Sequence, residues 1–278
     1  MLIASEMTDN GRGIAVRQWC DDLQKLVVTG EESMNTKLRT PGVIQALVMT
    51  FALFPAASCW AAGSAAPYAK MAPVDQYLIA DRNAEIAMAK SAAPTSISDN
   101  AAVMILGAHG FETALKGTNA FTCFVDRAWT KSFDDPEFWN PKIRGPMCLN
   151  EAAMRTAFPN IAERAKWALS GLSIAQMRER AKTSAAANMI VATGAMSYML
   201  SKQQYLSDSP PTAWHPHVMF FSPGIDPGAW GAGLKDSPVL GAALSDHLTM
   251  FFIPVRKWSD GTLADYPAPA GASEHHQH

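Results

Sequence analysis

The chain has 278 residues, of which 48% are apolar and 17% charged, and its formal net charge is -2. This composition predicts an ordinary globular domain and excludes a disordered or fibrous chain. Proteins that bind nucleic acid need Lys and Arg side chains to neutralise phosphates, and the sequence has no basic cluster of that kind. We therefore expect no nucleic-acid partner.

Residues 34–61 have the three-part layout of a secretory signal peptide. Met34–Arg39 is a short basic segment, Gly42–Ala57 contains no charged residue, and small residues follow. The apolar part is too short to span a bilayer comfortably. We predict cleavage after Ala61 and a periplasmic or secreted protein.

Two other interpretations of this segment stay open. It is a membrane anchor if it is retained, or a lipoprotein signal if Cys59, which follows Ala56-Ala57-Ser58, is lipidated. Only in these two cases do we expect a membrane partner. Because the signal begins at Met34, residues 1–33 are interpreted as a non-native or disordered extension.

The remainder of the chain is interpreted as one globular domain over residues 73–262. A flexible leader rich in Ala, Gly, Ser and Pro precedes it at 62–72, and a disordered tail follows at 263–278.

Two of the four cysteines, Cys123 and Cys148, remain after the predicted cleavage. In an oxidising compartment they are expected to form a disulfide, and free buried thiols are the alternative. A disulfide that closes a loop of about 25 residues stabilises a fold by roughly 3 kcal/mol.

Hydrophobic periodicity and turn residues predict the order of the elements. A helix is expected over Pro73–Lys90, and three strands in an antiparallel meander follow, at Ala102–Leu106, Phe111–Lys116 and Phe121–Val125. An ordered loop rich in aromatic residues and proline occupies Arg127–Met147 and is expected to pack over the sheet.

The second half of the chain begins with helices. Asn150 is the predicted N-cap of one helix, and Ser173 with Gln176 forms the capping box of another. Three further strands are expected, at Ala195–Leu200, from His217 onward and at His247–Val255. The fold class is α+β, an antiparallel sheet of about six strands with helices grouped on one face, similar to profilin-like sensor folds.

The segment Trp214-His215-Pro216-His217 concentrates the residues best suited to chemistry. Two imidazoles two positions apart on a strand share a face and supply two ligands to Zn or Cu, and His109 or a further residue such as His247 would complete a site. The alternative is that these histidines are hydrogen-bonded packing residues, and Pro216 favours a turn as much as a strand.

No residue can be assigned a catalytic role from the sequence. The chain lacks a G-x-S-x-G elbow, a Walker A motif and a G-x-G-x-x-G motif. The predicted ligand-binding residues, which would line a pocket with the 127–147 loop, are His109, Trp139, Trp214, His215 and His217.

Several segments resemble an uncharacterised family of secreted bacterial proteins, and the resemblance covers about residues 72–262. The segments are Ser91–Pro94, Gly117–Cys123, Phe138–Lys142, Trp214–His217 and Pro254–Gly261. The resemblance implies export and one compact domain, and it implies no activity, because the family has none assigned.

Three functional hypotheses follow. The leading one is a non-enzymatic module that binds a small molecule or acts as a sensor. The others are a metal-dependent or His-based hydrolase that uses the Trp214–His217 segment, and a structural protein of the cell envelope.

Overall fold

The structure, a computed structural model, describes residues 67–245 and 247–265. The predicted extension at 1–33 and the predicted signal peptide at 34–61 lie outside the described residues. So do the first part of the predicted leader and all but three residues of the predicted tail. Of those three, Leu263 forms a β-bridge with Lys257.

The described part of the chain contains five α-helices and eight strands, joined by loops with three short 3-10 turns. The helices are α1 Arg82–Lys90, α2 Thr95–Ser98, α3 Glu151–Thr156, α4 Phe158–Leu169 and α5 Ile174–Thr183. The strands are β1 Ala102–Gly107, β2 Gly110–Leu115, β3 Phe121–Asp126, β4 Gly145–Asn150, β5 Ala195–Met199, β6 His217–Ser222, β7 Leu240–Ser245 and β8 Leu248–Pro254. No helix in these ranges is both long enough and apolar enough to cross a membrane.

All eight strands form one mixed sheet in the order β2-β1-β3-β4-β5-β6-β8-β7. β1 pairs with β3 in parallel, and the other neighbouring pairs are antiparallel. The fold class α+β is therefore confirmed, whereas the purely antiparallel sheet of six strands is wrong.

Two strands were missed because their residue types disfavour strands. β4 opens with Gly145-Pro146, and proline is uncommon inside a sheet. Half of β7 consists of Gly and Ala, which have low strand propensity. The predicted meander is also wrong, because β3 pairs with the side of β1 opposite to β2 and runs parallel to it.

The helices cover both faces of the sheet, which corrects the expectation that they are grouped on one face. Along β3, Cys123 and Val125 pack with Ala89 of α1. Phe124 points the other way, and its ring centroid lies 5.1 Å from that of Phe158 in α4. The alternation of side chains along one buried strand thus separates the two helical layers.

Helix caps account for several of the boundaries. The Asn150 side chain accepts from the N–H of Ala153, and Ser173 and Gln176 form the predicted capping box. The single helix expected over Pro73–Lys90 is instead a 3-10 turn followed by α1. Asp81 begins α1 by accepting from the N–H of Asn83.

The disulfide between Cys123 and Cys148 is confirmed. The two residues are direct partners across β3 and β4, and their Cα atoms are 4.0 Å apart. Disulfides of this kind are typical of proteins in oxidising, extracytoplasmic compartments.

A buried ion pair holds α1 against the sheet. Arg127 Nη2 donates to Glu85 Oε1 over 2.8 Å, and both side chains are almost fully buried. Glu85 also accepts from the N–H of Leu106 in β1, and Arg127 donates to the carbonyls of Tyr77 and Val125. The pair therefore joins four segments of the chain.

We predict that Glu85→Gln lowers the free energy of unfolding by about 3–5 kcal/mol, because it leaves the Arg127 charge buried without a counter-charge. The matched control is Glu112→Gln, which removes the carboxylate of the exposed pair with Arg82. That change is expected to cost under about 1 kcal/mol. Urea denaturation of both variants checks the difference, and equal losses would contradict a structural role for the buried pair.

Candidate functional site

The candidate site lies at one end of the sheet, where β1, β3 and β5 finish and β4 and β6 begin. We call this the upper end. Two long connections meet there, residues 127–144 between β3 and β4 and residues 200–216 between β5 and β6. They contact each other, since Arg144 and Tyr205 form a β-bridge and Asn140 donates to Asp208.

Buried polar atoms without hydrogen-bond partners concentrate at the upper end. Within residues 67–245 and 247–265 these atoms are Asp126 Oδ1, Trp129 Nε1, Arg164 Nε, Gln204 Oε1 and His217 Nε2. Buried polar groups in folded proteins are normally hydrogen-bonded, so each such atom calls for an explanation. The upper end therefore contains buried donor and acceptor atoms that no described residue satisfies.

Asp126, Trp129 and Arg164 come from adjoining segments, namely the end of β3, the 3-10 turn after it and α4, and we call these three residues the Asp126 centre. Asp126 is the last residue of β3, and its Oδ2 accepts from the hydroxyl of Thr130 over 2.6 Å. Trp129 belongs to the 3-10 turn that follows β3, and helix α4 packs on this turn. From α4, Arg164 donates through Nη2 to the carbonyl of Lys131 over 2.6 Å.

Burial dominates the electrostatics of the Asp126 centre. It raises the pKa of Asp126 to about 6, although hydrogen bonds from the Thr130 hydroxyl and the Arg127 backbone N–H and the charges of Arg127 and Arg164 act in the opposite direction. Burial also lowers the pKa of Arg164 to about 10, and the nearby Asp126 charge opposes this shift. The carboxyl therefore changes its charge near physiological pH.

Gly145 is closely packed beside Asp126. Gly145 is the direct cross-strand partner of Asp126. A Cβ at Gly145 would lie 3.6 Å from Asp126 Cβ, 3.5 Å from Leu206 Cδ2 and 3.8 Å from Met199 Cε, which are ordinary contact distances. An alanine side chain is therefore tolerated at position 145, and it would be in contact with all three of these side chains.

His217 forms a second polar centre at the start of β6. The side chain is buried, and its Nδ1 lies 2.7 Å from the carbonyl oxygen of His215. A carbonyl only accepts, so Nδ1 carries the proton and Nε2 is left as an acceptor. The rings of Trp214 and Phe252 lie 5.7 and 5.8 Å from the imidazole.

Burial lowers the pKa of His217 below that of an ordinary histidine, while its hydrogen bond to the His215 carbonyl opposes the shift. The imidazole is therefore neutral at physiological pH. Gln204 lies close by, since its Nε2 donates to the carbonyl of Trp214 over 2.7 Å. Three strand spacings separate His217 from Asp126, roughly 14 Å, so the two centres are distinct.

The structure brings together Trp214, His215 and His217 but not the other predicted site residues. His109 lies exposed in the turn between β1 and β2, four strand spacings or roughly 19 Å from His217. Trp139 is buried against Phe138, and its carbonyl accepts from the hydroxyl of Tyr77.

The predicted shared face of His215 and His217 is not formed. β6 begins at His217, after Pro216, so His215 lies outside the strand and is exposed while His217 is buried. His247 precedes β8 at the opposite end of the sheet. Residues 67–245 and 247–265 contain no group of three or more His, Cys, Asp or Glu residues that could hold a metal ion. The geometry thus does not assemble His109, His215 and His217 into a metal site.

A third polar group, around Asp208, is fully hydrogen-bonded. Its carboxylate accepts from Tyr68, Tyr205 and Asn140 and pairs with Lys142. Although desolvation acts to raise it, the pKa of Asp208 is held well below its usual range by these hydrogen bonds. Asp208 therefore joins the two long connections. Both of its carboxylate oxygens have hydrogen-bond partners, unlike Asp126 Oδ1.

Sequence reasoning missed Asp126, Arg164 and Gln204 as site residues. One local signal was present, because the charged pair Asp126-Arg127 directly follows the apolar run Phe121–Val125. A strand that is buried on both faces ends inside the protein, so charged side chains at its end are rarely solvated. Such side chains must form buried hydrogen bonds or ion pairs with other parts of the chain.

Comparison of the chain with protein-family models, with curated proteins and with solved structures found no match. The functional argument therefore depends on the geometry of the upper end.

We predict that Asp126 makes the protein less stable as the pH rises. Because its folded pKa of about 6 exceeds the unfolded value of 3.8, the folded state binds the extra proton between these values. The free energy of unfolding should then fall by on the order of 3 kcal/mol between about pH 4 and about pH 6, and it should stay at the lower value above about pH 6.

Asp126→Asn should remove this change, which urea denaturation across the pH range measures. The control is Asp260→Asn, because hydrogen bonds from Lys202 and Thr262 lower the pKa of Asp260 and place its effect below about pH 4. A wild-type and an Asp126→Asn curve that run parallel from about pH 4 to about pH 7 would refute the prediction.

We predict the opposite pH dependence for His217. Its folded pKa is lowered, so the unfolded state binds the extra proton once the pH falls below the unfolded value of about 6.5. Stability should then drop by up to about 1.4 kcal/mol per pH unit below that value. Denaturation curves of His217→Gln should show a shallower acid limb than wild type, and an acid limb of unchanged slope would contradict the prediction.

Proposed function

We propose that the protein is an exported, non-enzymatic module that binds a small polar molecule at the upper end of the sheet. The observation that carries the proposal is the concentration there of buried polar atoms without partners. A ligand that supplies the missing donors and acceptors would gain the full strength of hydrogen bonds made away from water.

The chemistry of these atoms favours a polar ligand over an apolar one. At the Asp126 centre, Arg164 Nε and Trp129 Nε1 are donors and Asp126 Oδ1 is an acceptor, whereas Gln204 Oε1 and His217 Nε2 are acceptors of the second centre, roughly 14 Å away. Binding sites for small molecules typically combine apolar walls with a few convergent polar groups. At the Asp126 centre, the rings of Phe133 and Phe138, whose centroids lie 4.3 and 5.6 Å from Arg164 Cζ, would supply such walls.

The hydrolase hypothesis has weaker support. It required His109, His215 and His217 to converge, but His109 is roughly 19 Å from His217. The two remaining imidazoles differ in burial, and His217 uses one ring nitrogen to bond the backbone carbonyl of His215. Dispersed imidazoles of this kind favour binding or packing over metal-assisted hydrolysis.

Export is part of the proposal. The signal-like segment at 34–61 and the family resemblance both favour a periplasmic or secreted location, and the Cys123–Cys148 disulfide agrees with an oxidising compartment. A module of this type would act as a carrier or as a sensor that passes on ligand occupancy.

Thermal-shift measurements with a panel of small polar compounds test the proposed function. The panel is formate, formamide, glycine, glycerol and phosphate. At least one compound should raise the melting temperature of the wild type, since a ligand that binds only the folded state stabilises it.

Two tryptophan variants locate the effect. Trp129→Phe removes the buried indole N–H and should abolish the shift, whereas Trp230→Phe, a change at a 45% exposed side chain, should preserve it. No shift with any compound, or the same shift in both variants, would reject a binding site at the Asp126 centre.

A further inference from the structure

We propose that two copies of the chain associate through the outer edge of β7, so that their two sheets join into one continuous sheet. We call this surface the β7 edge, and it consists of Leu240–Ser245 on the side of the strand away from β8. The proposal is separate from ligand binding, because it concerns the side of the sheet and not its upper end.

The backbone of β7 is paired on one side. β7 is the last strand in the order of the sheet, and its neighbour is β8. Beyond that pairing, no described residue forms a backbone–backbone hydrogen bond with Leu240–Ser245, and Ala243, Leu244 and Ser245 are exposed. The N–H and C=O groups along such an edge are matched best by another extended strand. The partner that fits the β7 edge is therefore a β-strand.

The two edges of the sheet differ in their protection against such pairing. The other edge strand, β2, carries Glu112, which is ion-paired with Arg82. Charged side chains on an edge strand oppose pairing with a further strand. β7 contains no charged residue and no proline. Its one irregularity is a bulge between Ala243 and Ser245, so the strand is regular from Leu240 to Ala243 and open to pairing there.

Exposed apolar side chains lie beside the β7 edge. Trp230, Leu234 and Leu244 are 45%, 65% and 43% exposed. Trp230 stacks on Phe251 of β8, and the loop that carries Trp230 and Leu234 packs on Gly241 of β7. Apolar side chains grouped in this way are typical of surfaces that associate with another protein.

A second copy supplies a strand that fits the β7 edge. In an antiparallel pair, opposed residues alternate between hydrogen-bonded and non-hydrogen-bonded pairs, so a two-fold axis must pass between two identical residues. An axis at Ala242 places Leu240 opposite Leu244 of the partner subunit. Gly241 then lies opposite Ala243 of the partner subunit. All of these pairs are apolar, so β7 is complementary to its own copy.

Charge favours a second copy at the β7 edge and disfavours one at the edge formed by β2. Two copies of β7 meet without a charge on either strand. Two copies of β2 would bring two exposed Glu112 carboxylates into one interface. Leu240 already packs against the core cluster that contains Phe221 and Phe252, so a leucine opposite Leu240 would extend this cluster across the axis. The partner inferred for β7 is therefore the same strand of a second copy.

Sedimentation velocity over a range of protein concentrations tests the association. The purified protein should sediment as a monomer when dilute and as a dimer when concentrated. Leu244→Lys should raise the dissociation constant by about 100-fold, because the change enters a symmetric interface twice and brings a charge to an uncharged edge. The matched control is Leu115→Lys on β2, where the leucine is 42% exposed compared with 43% for Leu244. It should leave the dissociation constant unchanged.

A cysteine at the two-fold axis tests the register independently of the lysine variants. The Cα atoms of two directly opposed residues lie roughly 4.5–5.5 Å apart, a distance that a disulfide can bridge. Oxidised Ala242→Cys should therefore run as a covalent dimer on a non-reducing gel. Ala114→Cys, at a half-buried alanine of β2, should not. Wild type run alongside accounts for the native cysteines.

Each outcome supports or overturns the proposal. A monomer at every concentration, or a dimer that Leu244→Lys leaves intact, would overturn it. So would a dimer that Leu115→Lys weakens equally, or a dimer in which Ala242→Cys does not crosslink, since the copies would then meet at another surface. A dimer weakened by Leu244→Lys, kept in Leu115→Lys and crosslinked through Ala242→Cys supports the proposal.

Discussion

The buried ion pair between Glu85 and Arg127 is the interaction on which the upper end of the sheet depends. Arg127 directly follows Asp126, and its guanidinium is fixed by Glu85 of α1 and by the carbonyls of Tyr77 and Val125. Because these partners lie on different segments, their contacts with Arg127 keep the residues at the end of β3 buried. Asp126 is thereby held where solvent cannot reach its carboxyl, at a cost in desolvation that the surrounding hydrogen bonds only partly offset.

Two ionisable groups at the upper end respond to pH in opposite directions. Burial raises the pKa of Asp126 and lowers that of His217, so both side chains favour the uncharged form. From about pH 4 to about pH 6, where a solvated aspartate and a solvated histidine are both charged, the fold therefore favours the neutral form of both groups. Groups with perturbed pKa values cluster at functional sites, and their separation of roughly 14 Å allows each to respond to its own surroundings.

Local sequence signals predicted the features that depend on neighbouring residues. The capping box at Ser173 and Gln176, the Asn150 cap and the Cys123–Cys148 disulfide all follow from short-range chemistry or from a count of cysteines. The parallel pairing of β1 with β3 was not predictable in this way. It results from β2 pairing with the outer edge of β1, which leaves the other edge of β1 for β3.

The candidate site was only partly predictable for a related reason. Trp214 and His217 are close in sequence and remain close in the structure, whereas His109 is separated from them by β3, β4 and β5. Conversely, Asp126 and Arg164 are far apart in sequence and become neighbours only because α4 packs on the turn after β3. No periodicity or motif encodes that contact, so it had to come from the packed structure.

The central claim is that β3 ends in a carboxyl enclosed by the fold and left with unused hydrogen-bonding capacity. Carbon-13 NMR of the Asp126 side-chain carboxyl, followed as a function of pH and assigned with Asp126→Asn, measures this most directly. The account predicts a titration midpoint near 6. A midpoint near 4, the value of a solvated aspartate, would show that the carboxyl is open to water and would contradict the account.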